Sequence, residues 1–437
     1  MNNMISLHPR SGERPLDGLE KGIPGHAGTI SIESTSHQNW NLLKEDLLLP
    51  VAVLKHDALL HNVRWMQRFV DESGVAIAPH GKTTMSPALL DLQLAAGAWG
   101  ITVATVHQLQ VARQFGFSRI VMANQLVGRS GIEYVLEEMK RDPNFEFWCL
   151  ADSTQNVERL AEAAQRIGAG RPLRLLLEIG YADGRTGCRD QATAIEVARA
   201  IAAASPYLAL GGIEGFEGLM GGGTLADNVG RVEAFLDRVV AVAAICARQD
   251  QFAPGEVILS LGGSIYYDIV AERLREADIG RPTKVVLRSG CYITHDDILY
   301  RRVFDALRAR RPELAAMDGG LRPALEVWAY VQSRPERAKA ILGFGKRDAS
   351  YDDLPVPLKW YRPGQALAAP ASLPPGHRVT HLNDQHCHMV IPVDSPLAVG
   401  DMVAFGISHP CLTFDKWRVI PVVDDGYTCV SAIRTYF

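Results

Sequence analysis

The residues best placed to do chemistry in this chain sit in a few short stretches. In Pro79-His80-Gly81-Lys82-Thr83-Thr84 a lysine follows a β-like run. An amine at such a strand end, desolvated and beside another cation, can form a Schiff base with a carbonyl group, although the same place also suits a solvated rim charge. In Leu261-Gly262-Gly263-Ser264 a turn between a strand and a helix offers backbone N–H groups, a hydroxyl and a positive helix end. Those are the donors a phosphate needs; an ordinary glycine turn reads the same way. Arg185, flanked by Gly184 and Gly187, lies where glycines let the backbone approach a flat ligand, and is either the second cation or a surface turn residue. His409-Pro410-Cys411 pairs an imidazole with a thiolate, a combination that suits zinc. Alternate residues of a strand point the same way, so both reach one ion. Two ligands do not close a site, which fits a catalytic ion with open positions better than a structural one; a buried His and Cys is the plain alternative. His386-Cys387-His388 competes as a metal site. Neighbours on a strand face opposite sides, so either His386 and His388 converge or Cys387 acts alone.

The elements that would position these residues read clearly. Candidate strands cover Val75–Ala78, Gly100–Ala104, Arg119–Ala123, Phe145–Leu150, Leu173–Ile179, Leu210–Gly215, Val257–Leu261 and Lys284–Arg288. Between them, apolar residues three to four apart mark helices such as Ser86–Ala96, His107–Phe115, Ser130–Lys140, Thr154–Ile167, Ala192–Ala203, Leu225–Arg248 and Ile265–Arg275. Eight βα repeats predict an α/β fold, a (β/α)8 TIM-type barrel, with a doubly wound open sheet as competitor. In such a barrel the site forms at the C-terminal strand ends, with phosphate commonly held after the seventh and eighth strands. Lys82 follows the first strand, Gly262–Ser264 the seventh and Ser289-Gly290-Cys291-Tyr292 the eighth. Past about residue 315 short runs punctuated by Pro and Gly predict a C-terminal β domain. The expected division is residues 1–50 as an arm and lead-in strand joining the β domain, 51–315 as the barrel, and 316–437 as the β domain with the metal site. The first 40 or so residues, polar and without an apolar period, read as a loosely ordered arm.

Composition excludes several classes. Hydrophobic residues make up 47% and charged residues 22%, as in globular proteins. A formal charge of −4 and dispersed basic residues give no footprint for nucleic acid. No apolar run approaches the roughly 20 residues that span a bilayer, and no signal-peptide pattern opens the chain, so the expectation is a cytoplasmic protein without a membrane partner. Seven scattered cysteines do not form a disulfide framework; most read as buried thiols.

The segments PHGKTTMSP (79–87), ITVATVHQ (101–108), GYADGRTGC (180–188), LSLGGS (259–264), VLRSGCY (286–292), SRPERAKAILGFGKRD (333–348), NDQHCHM (383–389) and ISHPCLTFDKW (407–417) together resemble a known family. It is that of the alanine-racemase-like barrel enzymes that use pyridoxal phosphate, in the branch of D-serine dehydratases, D-threonine aldolases and related D-amino-acid deaminases. The resemblance runs from about residue 45 to the end. It implies pyridoxal 5'-phosphate bound as a Schiff base to Lys82, with His80 near it and Arg185 beside the ring. Gly262, Gly263 and Ser264 would hold the phosphate with help from Gly290 and Tyr292, and Tyr181 and Tyr292 are both candidates to face the pyridine nitrogen. His409 and Cys411 would bind a divalent metal, zinc or a harder ion such as magnesium or manganese. His386 would stand near metal or substrate, although Cys387 takes a place where the family carries glycine. Gly81 likewise replaces a bulkier residue. Relatives are usually homodimers in which one chain's β domain approaches the other's barrel.

The reaction this implies is metal-assisted elimination of the β-hydroxyl from a D-3-hydroxy amino acid, giving a 2-oxo acid and ammonia. Lys82 would remove the α-proton, and the metal would activate a poor leaving group. Retro-aldol cleavage to glycine and an aldehyde, racemisation, and a non-catalytic cofactor carrier are the other readings of the same residues.

Overall fold

Short buried strands dictate the architecture. The computed structural model describes residue 7 and residues 12–26, 28–364 and 369–437. By contacts the chain divides into two units. One, here the β unit, comprises the described residues up to Met66 with Thr83–Ala96 and Cys291–Phe437; the other, the barrel unit, comprises Gln67–Lys82 and Gly97–Gly290.

In chain order β1 (Val51–Lys55) leads into α1 (His56–Glu72). The barrel strands follow: β2 (Ala76–Ile77), β3 (Ile101–Val103), β4 (Arg119–Gln125), β5 (Glu146–Ala151), β6 (Leu173–Ile179), β7 (Leu208–Gly215), β8 (Val257–Leu261) and β9 (Thr283–Leu287). Helices lie between successive strands: α2 (Pro87–Ala95), α3 (Val106–Gln114), α4 (Arg129–Arg141), α5 (Thr154–Ile167), α6 (Gln191–Ala203), α7 (Leu225–Arg248) and α8 (Tyr267–Arg275). The strands form one parallel sheet in the order β2-β9-β8-β7-β6-β5-β4-β3. Its two edges meet at a bridge between His80 and Thr102, where Thr102 N donates to Pro79 O at 2.9 Å and Trp99 N to Ile77 O at 2.8 Å. The expected barrel is therefore present, and its interior is a packed core around Ala78, Val121, Trp148, Leu150, Leu176, Ile258 and Val286. Most side chains on these strands are buried on both faces, which is why they read in sequence as largely apolar runs.

Local chemistry fixes where the helices begin. Thr105, Ser153 and Asp190 accept N–H bonds at the starts of α3, α5 and α6, and Thr224 with Asp227 forms a reciprocal capping box on α7. Each cap follows a strand, so these helices point their positive ends toward the strand C-termini.

The β unit holds a ten-stranded sheet. Its further strands are β10 (Leu325–Glu336), β11 (Lys339–Leu342), β12 (Val356–Tyr361), β13 (Ala371–Ser372), β14 (Arg378–Leu382), β15 (Cys387–Val390), β16 (Met402–Gly406), β17 (Val419–Val423) and β18 (Cys429–Arg434). The main path runs β13-β12-β16-β10-β1-β17-β18, and β11 links β10 to the β14–β15 hairpin.

Three expectations about boundaries differ from what is seen. Val51–Lys55 pairs with β10 and β17, so it belongs to the β sheet and the barrel starts later. Helix α2 and the segment after Cys291 also belong to the β unit, where Leu89, Leu90 and Leu92 of α2 are buried. The described part of the N-terminal arm is packed: Leu16 and Ile23 are fully buried, Leu16 bridges Ile30, and the Lys21 amine lies 3.7 Å from the Trp417 ring centre. Its apolar residues are spaced for tertiary packing, without the period of a helix or strand.

Candidate active site

At the C-terminal end of the barrel strands, β2 runs through Pro79 and His80 into a 3-10 turn, Gly81–Thr83, that carries Lys82. Lys82 is exposed there. His80 is half-buried, and its buried Nδ1 has no hydrogen-bond partner among the described residues. Burial, reinforced by the positive charges of Lys82 and Arg288, holds its imidazole well below the usual range, so it is neutral near pH 7.

The loop after β6 carries Tyr181 and Arg185. The Arg189 guanidinium pins it from behind, donating to Gly184 O at 2.9 Å, Arg185 O at 2.8 Å and Gly187 O at 3.0 Å. Gly187, at φ +93°, packs against Gly180 so closely that a Cβ would lie 2.4 Å from its nitrogen. The exposed Arg185 guanidinium lies 4.4 Å from the Phe216 ring centre. Tyr181 is half-buried, edge-on to Phe235 at 5.7 Å, and burial raises its hydroxyl pKa. Glu178, at the end of β6, takes hydrogen bonds from Gln125 and, at 2.7 Å, from Thr186, and burial raises its carboxyl above the usual range. A cleft of about 720 Å³ opens nearby, lined by His107, Gln125, Asp152 and Thr186 among others.

The turn after β8 is an anion nest with an anion already in it. The carboxylate of Glu217, fully buried, accepts from Gly262 N at 3.2 Å and Gly263 N at 2.9 Å. Glycine is required at both places. Gly262 has φ +82° and a Cβ there would meet Leu287 at 2.5 Å, while one on Gly263 would meet the Phe216 ring at 2.8 Å. Ser264 is half-buried, and Ser289 Oγ donates to Gly263 O at 2.7 Å, tying the turn to Gly290 next along the chain. Beneath lies a buried ion pair. Arg288 contacts Glu214 directly and donates to Gly215 O at 2.9 Å. Burial pushes the Glu214 carboxyl up to about 8, with the Arg288 charge opposing. The Arg288 guanidinium in direct contact holds the pair ionic.

These residues fit pyridoxal phosphate. The double-glycine cradle binds an anion, a lysine stands at the same barrel end, and the buried His80 Nδ1 is orphaned. The Glu217 carboxylate occupies the cradle's amides as they stand. Glu217, Glu214, Arg288 and Arg189 were not singled out from sequence; the only hint was the doubled acid in Glu214-Gly215-Phe216-Glu217, just after a barrel strand.

The remaining predicted residues lie in the β unit. Tyr292 is buried, and burial raises its hydroxyl pKa. His409 Nδ1 meets Asp352 Oδ2 at 2.7 Å, and its backbone N–H donates to Asp296 at 3.0 Å. That leaves Nε2 for a metal, in the carboxylate–histidine arrangement that orients metal ligands. Cys411 opens a helical turn, Cys411–Phe414, with its sulfur 3.7 Å from that of Cys291 and 3.4 Å from Thr83 Oγ1. Hydrogen bonding from Cys411, then Tyr300 and Thr83, holds the buried Cys291 thiol below its usual range. Among the described residues, no group of three or more His, Cys, Asp or Glu side chains stands so as to hold a metal ion. A metal here would rest on His409 and Cys411, with its other positions open.

The hairpin histidines behave differently. His386 is exposed on the turn between β14 and β15, Cys387 is buried, and His388 stacks on His381 with ring centres 3.7 Å apart. His388 Nε2 also meets Asn383 at 2.7 Å, so His388 pairs with its cross-strand neighbours and not with His386.

The parallel barrel with an antiparallel β sheet defines an alanine racemase-like fold. Residues 54–266 match the family described as "Alanine racemase, N-terminal domain", and residues 324–423 match "Putative serine dehydratase domain". The chain is thus similar to these two domains in succession. It is 26% identical over 312 residues to the 3-hydroxy-D-aspartate aldolase of Paracoccus denitrificans (strain Pd 1222), covering 71% of this chain and 75% of that one. Among solved structures, D-threonine aldolase from Filomicrobium marinum superimposes with a TM-score of 0.70 at 21% identity, covering 91% of this chain and 97% of that one. D-threo-3-hydroxyaspartate dehydratase from Delftia sp. HT23 gives 0.68 at 20% identity, covering 91% and 99%. A cysteine-to-alanine variant of an enzyme of that name is described in a metal-free form. Among the described residues no helix is long and apolar enough to cross a membrane.

Proposed function

We propose that the protein is a pyridoxal-phosphate-dependent, metal-assisted dehydratase of D-3-hydroxy amino acids such as D-serine, D-threonine or D-3-hydroxyaspartate, releasing a 2-oxo acid and ammonia. The observation that carries this reading is the Gly262–Gly263 nest, which already accepts a carboxylate at the same barrel end as Lys82. Lys82 Nζ would hold the cofactor and take the α-proton of the substrate. Pyridoxal phosphate, when bound, supplies a conjugated ring that delocalises the charge left at that carbon. Arg185, steadied on Phe216, would face the ring's phenolic oxygen, and neutral His80 would offer a hydrogen-bonding nitrogen without adding charge. His409 Nε2 and the Cys411 thiolate would hold a divalent ion, which as a Lewis acid assists departure of hydroxide. The metal-free cysteine variant among the relatives supports pairing a cysteine with the metal.

A retro-aldol reading has its own support, because three relatives are named aldolases. In it the β-hydroxyl is deprotonated and the Cα–Cβ bond breaks. A panel of D- and L-3-hydroxy amino acids, scored for products with and without a chelator, tests both. Ammonia with a 2-oxo acid from the D substrates, lost on chelation, is expected; glycine with an aldehyde would replace the first reading by the second. Solvent deuterium uptake with inversion would mean a racemase, and no turnover of any substrate a carrier. A homodimer is proposed on the family resemblance, and light scattering checks it.

A further inference from the structure

Two thiols from distant parts of the sequence face one another in the β unit. Cys291 opens the 3-10 turn Cys291–Ile293, Cys411 opens the helical turn Cys411–Phe414, and their sulfurs stand 3.7 Å apart. The Thr83 hydroxyl reaches both, at 3.6 Å from Cys291 and 3.4 Å from Cys411. All seven cysteines are thiols; Cys411 is half-buried and the other six are buried. A disulfide needs its sulfurs about 2.05 Å apart, so closing this gap asks each sulfur to move roughly 0.8 Å. A rotation of about 30° at each χ1 covers that distance, at a modest cost to the side chain.

We infer that Cys291 and Cys411 are a reversible dithiol–disulfide pair whose oxidant is a hydroperoxide. The peroxide meets Cys411 first, because that cysteine alone of the seven is not buried. Its sulfur attacks one peroxide oxygen: an S–O bond forms, the O–O bond breaks, and hydroxide leaves with the thiol's proton as water. The Cys291 sulfur, already in contact, then attacks the Cys411 sulfur. An S–S bond forms, the S–O bond breaks, and a second hydroxide leaves with the Cys291 proton. With hydrogen peroxide, two thiols and one peroxide give one disulfide and two waters, each sulfur losing one electron. Exchange with a small thiol reverses the change. If Cys411 holds the metal as proposed above, oxidation also withdraws that thiolate from the ion and turns the reaction off. This consequence rests on the metal reading, whereas the disulfide itself does not.

The test treats the full-length holoenzyme with hydrogen peroxide, caps the remaining thiols with N-ethylmaleimide and maps the peptides by mass spectrometry without reduction. The expected product is the Cys291 peptide joined to the Cys411 peptide, two hydrogens lighter than the two thiol forms together and separated again by dithiothreitol. In Cys291→Ser that species should vanish, and Cys411 should run on to its sulfinic acid, which dithiothreitol does not reduce. Wild-type protein in which Cys411 becomes sulfinic acid without a cross-link, or in which both thiols are still capped after peroxide, would overturn the inference with no variant needed. Metal content and turnover separate the two readings. A cross-link that releases the metal and lowers product formation at least about tenfold, both restored by dithiothreitol, supports the pair and the metal reading together. A cross-link that leaves metal and turnover unchanged supports the pair and removes Cys411 from the metal site.

Discussion

Replacing Glu217 by glutamine removes one negative charge from the turn that would receive the cofactor's phosphate. The Glu217 carboxylate holds Gly262 N at 3.2 Å and Gly263 N at 2.9 Å, so a phosphate entering those amides must displace it. Hydrogen bonds to a charged group contribute about 1.5–3 kcal/mol net, against about 0.5–1.5 kcal/mol between neutral groups. The two amides bond different oxygens, so glutamine keeps one acceptor and sets an NH2 group against the other amide; one charge-assisted bond of about 1.5–3 kcal/mol is lost and the other weakens by roughly 1 kcal/mol, so about 3 kcal/mol less opposes the phosphate. At about 1.4 kcal/mol per tenfold, binding tightens by roughly 100-fold. The assay titrates cofactor-free protein with pyridoxal phosphate and, separately, with unphosphorylated pyridoxal, following absorption of the lysine-bound form. The ratio of the two affinities isolates the phosphate. We predict that this ratio rises in Glu217→Gln while pyridoxal binds as before. An unchanged or smaller ratio would refute the reasoning and make Glu217 a permanent pin of the turn.

Lys82→Ala should abolish the visible absorption of bound pyridoxal phosphate, and a band of normal position and strength in that variant would remove Lys82 from the site. His409→Ala should keep the absorption and lose product formation by at least about tenfold, the lower end for a disrupted metal site; undiminished turnover would exclude the metal role. His295, buried edge-on against Phe304, has its pKa lowered to about 4 by burial. An unfolded chain takes that proton near 6.5, so the stabilisation is complete above about pH 6.5 and is lost as pH falls toward 4. Between pH 6 and 5 the unfolding free energy of wild type relative to His295→Gln should fall by roughly 1 kcal/mol in urea titrations; parallel pH profiles would contradict it.

Much of the barrel was legible because strands buried on both faces leave short apolar runs, and these alternate with helix-spaced segments. All eight expected strands are found, with ends shifted by a few residues at most. Strand β12 was missed because Pro355 and Pro357 interrupt it, and Leu16, Ile23 and Ile32 gave no signal because tertiary packing alone buries them. In the candidate site, Lys82 and Gly262-Gly263-Ser264 stood out because a lysine and paired glycines at strand ends are conspicuous by type. Glu217 and Cys291 were silent because their meaning lies in what they meet. The first reaches the turn 45 and 46 residues on, and the second a thiol 120 residues away.

The barrel seam has one more consequence. Strand β2 has only two laddered residues, and a single bridge at His80 joins it to β3. Lys82 follows this strand, and the anion nest follows β8, with β9 lying between the two. A ligand attached to both therefore ties the short strand β2 to the β8–β9 wall on the side away from that seam, and occupancy becomes a source of rigidity for it. By mass action, loading at a hundred times the dissociation constant would add about 2.7 kcal/mol to the folded state. Amide exchange should slow most at Ala76–His80, so that the loaded protein is marked by a quieter β2 before any substrate is added.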